Sequence, residues 1–222
     1  MPYAIDMHIH TTAGSADSNL RPPVLRERAV TLGLHGVQIT EHFRVWNEFE
    51  AGEFVAGHDL LAFRGMEWNT ELGHILVLGI DTYRPELRSA AELRRYVNDR
   101  GGYMIAAHPF RHAYDPIAAL WKAHKQSDVS VEAAARHPVF EFVDAVEVLN
   151  GASTDKENDL AACVAVQLGL HGVGGSDAHY AEDVGRAVTL FEEPIRTEGE
   201  LIDALRAGCF RPARGPAAMH PI

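Results

Sequence analysis

Ile5-Asp6-Met7-His8-Ile9-His10 closes a short apolar run that begins at Tyr3, and it sets two imidazoles two residues apart. In an extended strand residues i and i+2 project from the same face, so His8 and His10 can present nitrogens to one metal ion. Alone, a His-x-His pair means little in a chain of 222 residues with 13 histidines. Its weight depends on how the later strands end.

Working outward, Pro22-Pro23 opens a helical pattern through Val24, Leu25, Ala29, Val30 and Leu32 that Gly33 closes. Gly36 to Thr40 reads as a buried strand ending in Glu41-His42, and residues 44–60 as irregular helix and loop around Trp46, Phe49 and Phe54. Leu61 to Met66 is a strand ending at Glu67, and His74 introduces another apolar run to Leu78. A helix over Ala90 to Arg100 stops at Gly101-Gly102, and a strand from Tyr103 to Ala107 runs into His108-Pro109. Residues 111–142 have the composition of extra helices laid over one end of the core. Ala145 to Leu149 is a strand ending in Asn150-Gly151, and Thr154 or Asp155 caps a helix running to about Gly169. His171 to Gly175 opens into Ser176-Asp177-Ala178-His179. Ala187 to Phe191 is the last strand, before a helix over Glu198 to Ala207.

Strand followed by helix or loop, repeated over about seven strands, is an α/β pattern, and runs rich in Val, Ile and Ala suit a parallel sheet covered on both faces. The expected architecture is a closed, TIM-like barrel formed by residues 1–222 as one domain. The polar candidates fall at the carboxyl ends of its strands, the face on which loops from many strands of an α/β barrel converge.

Bulk properties narrow the function classes. Hydrophobic residues make up 46% and charged residues 23% of the chain, which is ordinary for a globular protein. No apolar run approaches the roughly 20 residues of a membrane helix, and no basic segment leads into an apolar one as in a signal peptide, so a cytoplasmic protein with no membrane partner is expected. Cys163 and Cys209 supply neither a disulfide framework nor a thiolate metal motif and read as buried small hydrophobes. The formal net charge of −11 argues against duplex nucleic acid as a partner. A small phosphorylated substrate remains open, since cations in a cleft reverse the local field.

His8, His10, Asp17, His42, Glu67, His74, His108, Asp177 and His179 form the candidate ligand set. Imidazoles and carboxylates without thiolates suit divalent Zn, Mn or Fe rather than a structural zinc knot. One ion takes about four to six donors, so this supply suggests two or three ions with a carboxylate bridging a pair. Metals about 3.5–4 Å apart can share a hydroxide that attacks phosphorus.

The ordered motifs Asp6-Met7-His8-Ile9-His10 with Asp17-Ser18, Ile39-Thr40-Glu41-His42, Gly65-Met66-Glu67 with His74-Ile75-Leu76, Ala107-His108-Pro109, and Gly175-Ser176-Asp177-Ala178-His179 with Val184-Gly185-Arg186 resemble those of the polymerase and histidinol phosphatase (PHP) family. The resemblance implies a distorted (β/α)7 barrel with a di- or trinuclear centre that hydrolyses phosphate esters through a metal-bridging hydroxide. It implies one metal held by His8, His10, Glu67 and Asp177, a second reached through bridging Glu67 and held by His74 and His108, and a third held by Asp17, His42 and His179. Glu41 stands where the family more often has Asp, and is expected to orient a ligand imidazole.

Among other residues, Arg44, Arg111 and Arg186 follow ligand motifs and could clamp a phosphate, Arg111 being favoured as a catalytic group. His112 is weighed as a general acid against an exposed loop histidine, and Asn150 as a ligand partner against a turn former. Trp46 and Trp121 could line a pocket, although core packing is the default. His35, His58, His124, His137, His171 and His220 have no motif around them. The expected function is metal-dependent phosphoester hydrolysis, foremost of a small metabolite or nucleotide monoester. The alternatives are an exonuclease or phosphodiesterase, an amidohydrolase-type C–N or C–O hydrolase, and a non-catalytic metal-binding module.

Overall fold

The computed structural model describes residues 2–113 and 130–215. Its elements follow from local chemistry. Helix α1 (Pro22–Leu32) begins where two prolines preset φ and ends at Gly33, whose φ of 72° belongs to the left-handed region that closes helices. Helix α2 (Glu48–Val55) starts in a capping box between Asn47 and Glu50. Helix α3 (Ala90–Asn98) is capped by Ser89 and buries Ala90, Leu93 and Val97 along one stripe. Of the extra helices expected over 111–142, the described part holds a short helix α4 (Val131–Ala134) and a 3₁₀ turn, Pro138–Glu141. Residues 114–129, with Trp121 and His124, and also His220, lie outside the described residues. Helices α5 (Asp155–Leu168) and α6 (Glu198–Ala207) are each capped by a threonine and closed by a left-handed glycine. No helix among the described residues is long and apolar enough to cross a membrane.

The strands are β1 (Tyr3–Ile9), β2 (Gly36–Ile39), β3 (Leu61–Thr70), β4 (Gly73–Leu78), β5 (Tyr103–Ala106), β6 (Ala145–Asn150), β7 (His171–Gly175), β8 (Ala187–Phe191) and β9 (Phe210–Arg214). They form one nine-stranded sheet in the order β7-β6-β5-β4-β3-β2-β1-β8-β9. Strands β1, β2 and β3 pair in parallel, as do β5, β6 and β7, while β4 runs antiparallel to both neighbours. A parallel bridge between Ile9 and Ala178 brings the end of β1 to the segment after β7 and nearly closes the sheet. At the other end of β1, β8 pairs with Tyr3 to Ile5 and carries β9 on its far edge.

The barrel-like α/β architecture is therefore present, but a regular run of seven strand–helix units is not. Strands β3 and β4 join directly as a hairpin, and β3 continues through Glu67 instead of ending there. The two cysteines are a second correction: Cys163 lies on the outward face of α5 and Cys209 in the turn before β9, both exposed. Helix α5 points Leu160, Ala161, Val164 and Ala165 inward, which leaves Cys163 outside that stripe.

An apolar cluster fed by strands from around the sheet contains Ile5, Met7, Phe63, Leu76, Ile105, Ala145, Val173 and Phe191, and α6 closes it with Leu201 and Leu205. Further layers pack α1 and α2 over β1 and β2, α3 over β3 to β5, and α5 over β6. This packing holds the carboxyl-end rim of the parallel strands rigidly.

Candidate metal centre

The register of β1 against β2 shifts between Asp6 and Ile9, where three steps on β1 face two on β2. Such a bulge re-aims side chains near a site, and Thr40 Oγ1 accepts from Ile9 N and donates to Ile9 O, each at 3.0 Å, to fill the gap in the ladder. His8 and His10 both end fully buried at the rim. Glu67, Asp177 and His108 arrive beside them from β3, from the turn after β7 and from the turn after β5. Asp177 has φ 55° and His108 φ 28°, conformations that cost energy in non-glycine residues and persist where surrounding contacts enforce them. One such contact is the 2.7 Å hydrogen bond from Asp177 N to His8 O.

Four atoms converge: His8 Nε2, His10 Nε2, Glu67 Oε2 and Asp177 Oδ1. The two nitrogens are 3.0 Å apart, they lie 3.4 and 3.1 Å from Glu67 Oε2, and 3.5 and 3.3 Å from Asp177 Oδ1. A tetrahedron with metal–ligand bonds of about 2.0–2.2 Å has edges of about 3.3–3.6 Å. The protonation pattern also fits an ion. His8 Nδ1 meets the Glu147 carboxylate at 2.9 Å, so this nitrogen bears the hydrogen. Ser15 donates to Glu41 at 2.6 Å, which leaves its oxygen to accept from His10 Nδ1 at 3.2 Å. With a hydrogen on each Nδ1, the two Nε2 atoms are left to face two carboxylate oxygens, and a cation, whether proton or metal ion, is what the four atoms can share.

The electrostatics agree. Burial disfavours a charged His8, yet the carboxylates of Asp177, Glu147 and Glu67 outweigh it and hold the ring's pKa well above its usual value. Burial likewise raises Glu67 and Asp177, but Glu67 is held well below the carboxylate range by His8 and hydrogen bonds from His10, His108 and His74, and Asp177 by His8, His10 and Arg111. The pocket demands positive charge.

Glu67 turns its other oxygen, Oε1, to His74 Nδ1 at 2.7 Å and His108 Nε2 at 2.9 Å, which makes a second donor group that shares this carboxylate. A third lies outward, His10 with His42 and His179, and Asp17 Oδ2 stands 3.2 Å from His42 Nε2 and 3.5 Å from His179 Nε2, while His179 Nδ1 donates to Asp177 O at 2.9 Å. The Asp17 side chain is 57% exposed, so it is the most open of the nine candidates' contacts to these groups. All nine residues singled out in the sequence thus meet on one rim.

The remaining candidates separate clearly. Arg111 Nη2 bonds Asp177 Oδ2, and Asn150 Oδ1 at 2.8 Å. With His74, His108 and His112 it lines a cavity of about 570 Å³ beside the second group. Arg44 pairs with Glu50 and Arg186 with Asp183, neither of them a member of the donor groups. Trp46 packs in the core and donates to Glu41 at 3.1 Å, and Glu41 reaches the His10 imidazole through Ser15. Asn150 does more than form a turn, since its Nδ2 lies 3.0 Å from Glu147 and 3.4 Å from Asp177. Sequence reading passed over Glu147, Ser15 and Asp6. Asp6 accepts from Ser176 N at 2.8 Å and Gly185 N at 2.9 Å, and burial pushes its pKa up to about 6. The available signal was a lone carboxylate inside each of two apolar strands, a placement that requires a partner.

The PHP-associated (PHP_C) family pattern matches residues 155–209, a segment that includes Asp177 and His179. A two-domain protein from Bacteroides vulgatus containing a predicted PHP-like metal-dependent phosphoesterase superposes with a TM-score of 0.63 at 17% identity, over 97% of this chain and 65% of that one. The fold is that of the PHP proteins. An amidohydrolase from Chromobacterium violaceum, solved with bound sulfate and no metal, matches with a TM-score of 0.64 at 18% identity over 97% of this chain and 99% of its own. The lesion-specific endonuclease PfuEndoQ from Pyrococcus furiosus matches with a TM-score of 0.56 at 18% identity over 93% of this chain and 56% of its own. A search of curated proteins finds no match. The PHP fold, shared by proteins named for three chemistries, leaves the reaction to be argued from the site.

Proposed function

We propose that this PHP-fold chain is a metal-dependent phosphoesterase acting on a small phosphorylated substrate, foremost a phosphomonoester. The observation that carries the reading is the convergence of four potential ligand atoms, His8 Nε2, His10 Nε2, Glu67 Oε2 and Asp177 Oδ1, with the second oxygen of Glu67 turned toward His74 and His108. His8, His10, Glu67 and Asp177 would hold one divalent ion, Glu67, His74 and His108 a second, and Asp17, His42 and His179 a third, with Mn, Zn or Fe all suited to these donors. Bound ions of this kind supply Lewis acidity toward phosphoryl oxygens and a nucleophile drawn from water near neutral pH.

The chain's own side chains then divide the remaining work. Arg111 and Asn150 hold the second oxygen of Asp177, which fixes the direction of its first. The cavity lined by His74, His108, Arg111 and His112 gives the substrate a place beside the donor groups. The net charge of −11 favours a compact substrate over a polynucleotide track.

The test is turnover on a panel of phosphomonoesters, phosphodiesters, amides and lactones by metal-analysed protein supplied in turn with Mn²⁺, Zn²⁺ and Fe²⁺. Phosphate release from monoesters is expected, with at least about a 100-fold loss in Asp177→Asn. Cleavage of amides or lactones with no phosphoester turned over would replace this reading with the amidohydrolase one.

A further inference from the structure

Glu147 belongs to none of the expected ligand positions, yet three parts of the site meet on it. It lies on β6, where the register against β7 also shifts, between Glu147 and Leu149. Its side chain is completely buried. Oε1 stands 2.9 Å from His8 Nδ1, while Oε2 accepts from His108 N at 2.8 Å and Asn150 Nδ2 at 3.0 Å. A Cβ added at Gly175 would come within 2.9 Å of Oε1 and 2.5 Å of His8 Cβ, so β7 closes over the pair.

We propose that Glu147 is a positioning residue that sets the tautomer of His8 and holds His108 in its strained turn. The inference rests on the metal-centre reading. A carboxylate only accepts hydrogen bonds, so each of its three neighbours must present a hydrogen. His8 meets that demand with Nδ1–H, which leaves the Nε2 lone pair directed at His10, Glu67 and Asp177. The second oxygen draws in the backbone N–H of His108, the residue at φ 28°. Through Asn150 the same carboxylate also fixes which way that amide points, and Asn150 in turn contacts Asp177 and Arg111. Glu147 therefore aligns donors of two groups while contacting His8 on the nitrogen that faces away from them.

Glu147→Gln tests this with an isosteric side chain. Two donors, His108 N–H and the Asn150 amide, face the Oε2 position, so the single carbonyl oxygen of glutamine turns there and its NH₂ faces His8 Nδ1. The ring must then accept at Nδ1 and carry its hydrogen on Nε2, withdrawing the lone pair from the donor group. Imidazole ¹⁵N NMR of metal-free protein, at alkaline pH where the ring is neutral, should show His8 as Nδ1–H in the native chain and as Nε2–H in the variant. Calorimetric titration with Zn²⁺ should show affinity weakened roughly 10–100-fold. An unchanged tautomer in the variant, or Nε2–H in the native protein, would overturn the proposal, and the native spectrum alone decides it should the variant fail to fold. If native protein binds no Zn²⁺, the metal reading falls while the tautomer still decides the role of Glu147.

Discussion

Arg111 is the one arginine of the three candidates to reach a donor group, and its contacts point to a role different from a free phosphate clamp. Its Nη2 is shared between Asp177 Oδ2 and Asn150 Oδ1. A guanidinium presents several hydrogens in one plane, whereas a lysine ammonium is a point charge on a flexible stem. Arg111→Lys should therefore keep the positive charge near Asp177 but lose the fixed angle, and kcat/KM for a phosphomonoester should fall about 10–100-fold, mainly in kcat. Steady-state kinetics decide between two roles. A raised KM with unchanged kcat would mean that the guanidinium grips the phosphate in ground and transition state alike. Ser15 offers a parallel case at His10. Ser15→Ala removes the acceptor at 3.2 Å from Nδ1, and Zn²⁺ affinity measured by calorimetry should drop roughly 10-fold. Unaltered affinity would show that packing alone orients that ring.

Helix α5 connects local capping to the rim. Thr154 and Glu157 form its capping box, and Glu157 spends its other oxygen, Oε1, on His112 N at 2.6 Å. One turn into the helix, Asn158 binds the backbone of Asn150 at both N and O, at 2.9 and 3.1 Å. Two substitutions at the same cap should then behave differently. Thr154→Ala should cost about 0.5–2 kcal/mol in chemical denaturation with little change in turnover. Glu157→Ala should cost at least as much stability and also lower kcat/KM, because it releases the turn that carries Arg111. Equal kinetics in both variants would detach α5 from the site. At this scale the sequence was most readable where one face of an element is continuous. The strands ending in His8, Glu41-His42, His108 and Asp177 stood out as apolar runs that stop at polar residues. β9 did not, because Phe210-Arg211-Pro212-Ala213-Arg214 has neither an apolar run nor a central-strand composition. Pro212 is tolerated there because β9 lies on the sheet edge. The β3–β4 hairpin was hidden because Glu67, Asn69 and Thr70 interrupt hydrophobicity while the backbone ladder continues to Gly73. Partners of ligands, such as Glu147, come from contacts 139 residues apart in the chain, which no local pattern records.

For the whole molecule, the buried ionisable groups make stability a function of pH and of metal together. His8 and His10 have pKa values raised above their ordinary 6.5 despite burial, through neighbouring carboxylates. Their contribution is complete below pH 6.5 and is lost as pH rises through the raised values. Glu67 and Asp177 are depressed, so their contribution is present above the ordinary carboxylate range and is lost as pH falls through their lowered values. Asp6, raised to about 6 by burial, adds stability that is lost as pH climbs from 3.8 toward 6. Together these shifts put the stability maximum of metal-free protein on the acid side of neutrality. Divalent ions take over the role of the protons on His8 and His10, so binding releases protons and tightens as pH rises. Ligand in about 1,000-fold excess over its dissociation constant contributes about 4 kcal/mol, or about 8–16 °C in Tm for a chain of this size. Scanning calorimetry with and without Zn²⁺ should show a small Tm increment at mildly acid pH and one approaching that range at mildly alkaline pH. An increment equal at the two pH values would mean that metal enters without displacing protons, and the raised pKa values of His8 and His10 would then not hold in the metal-free protein.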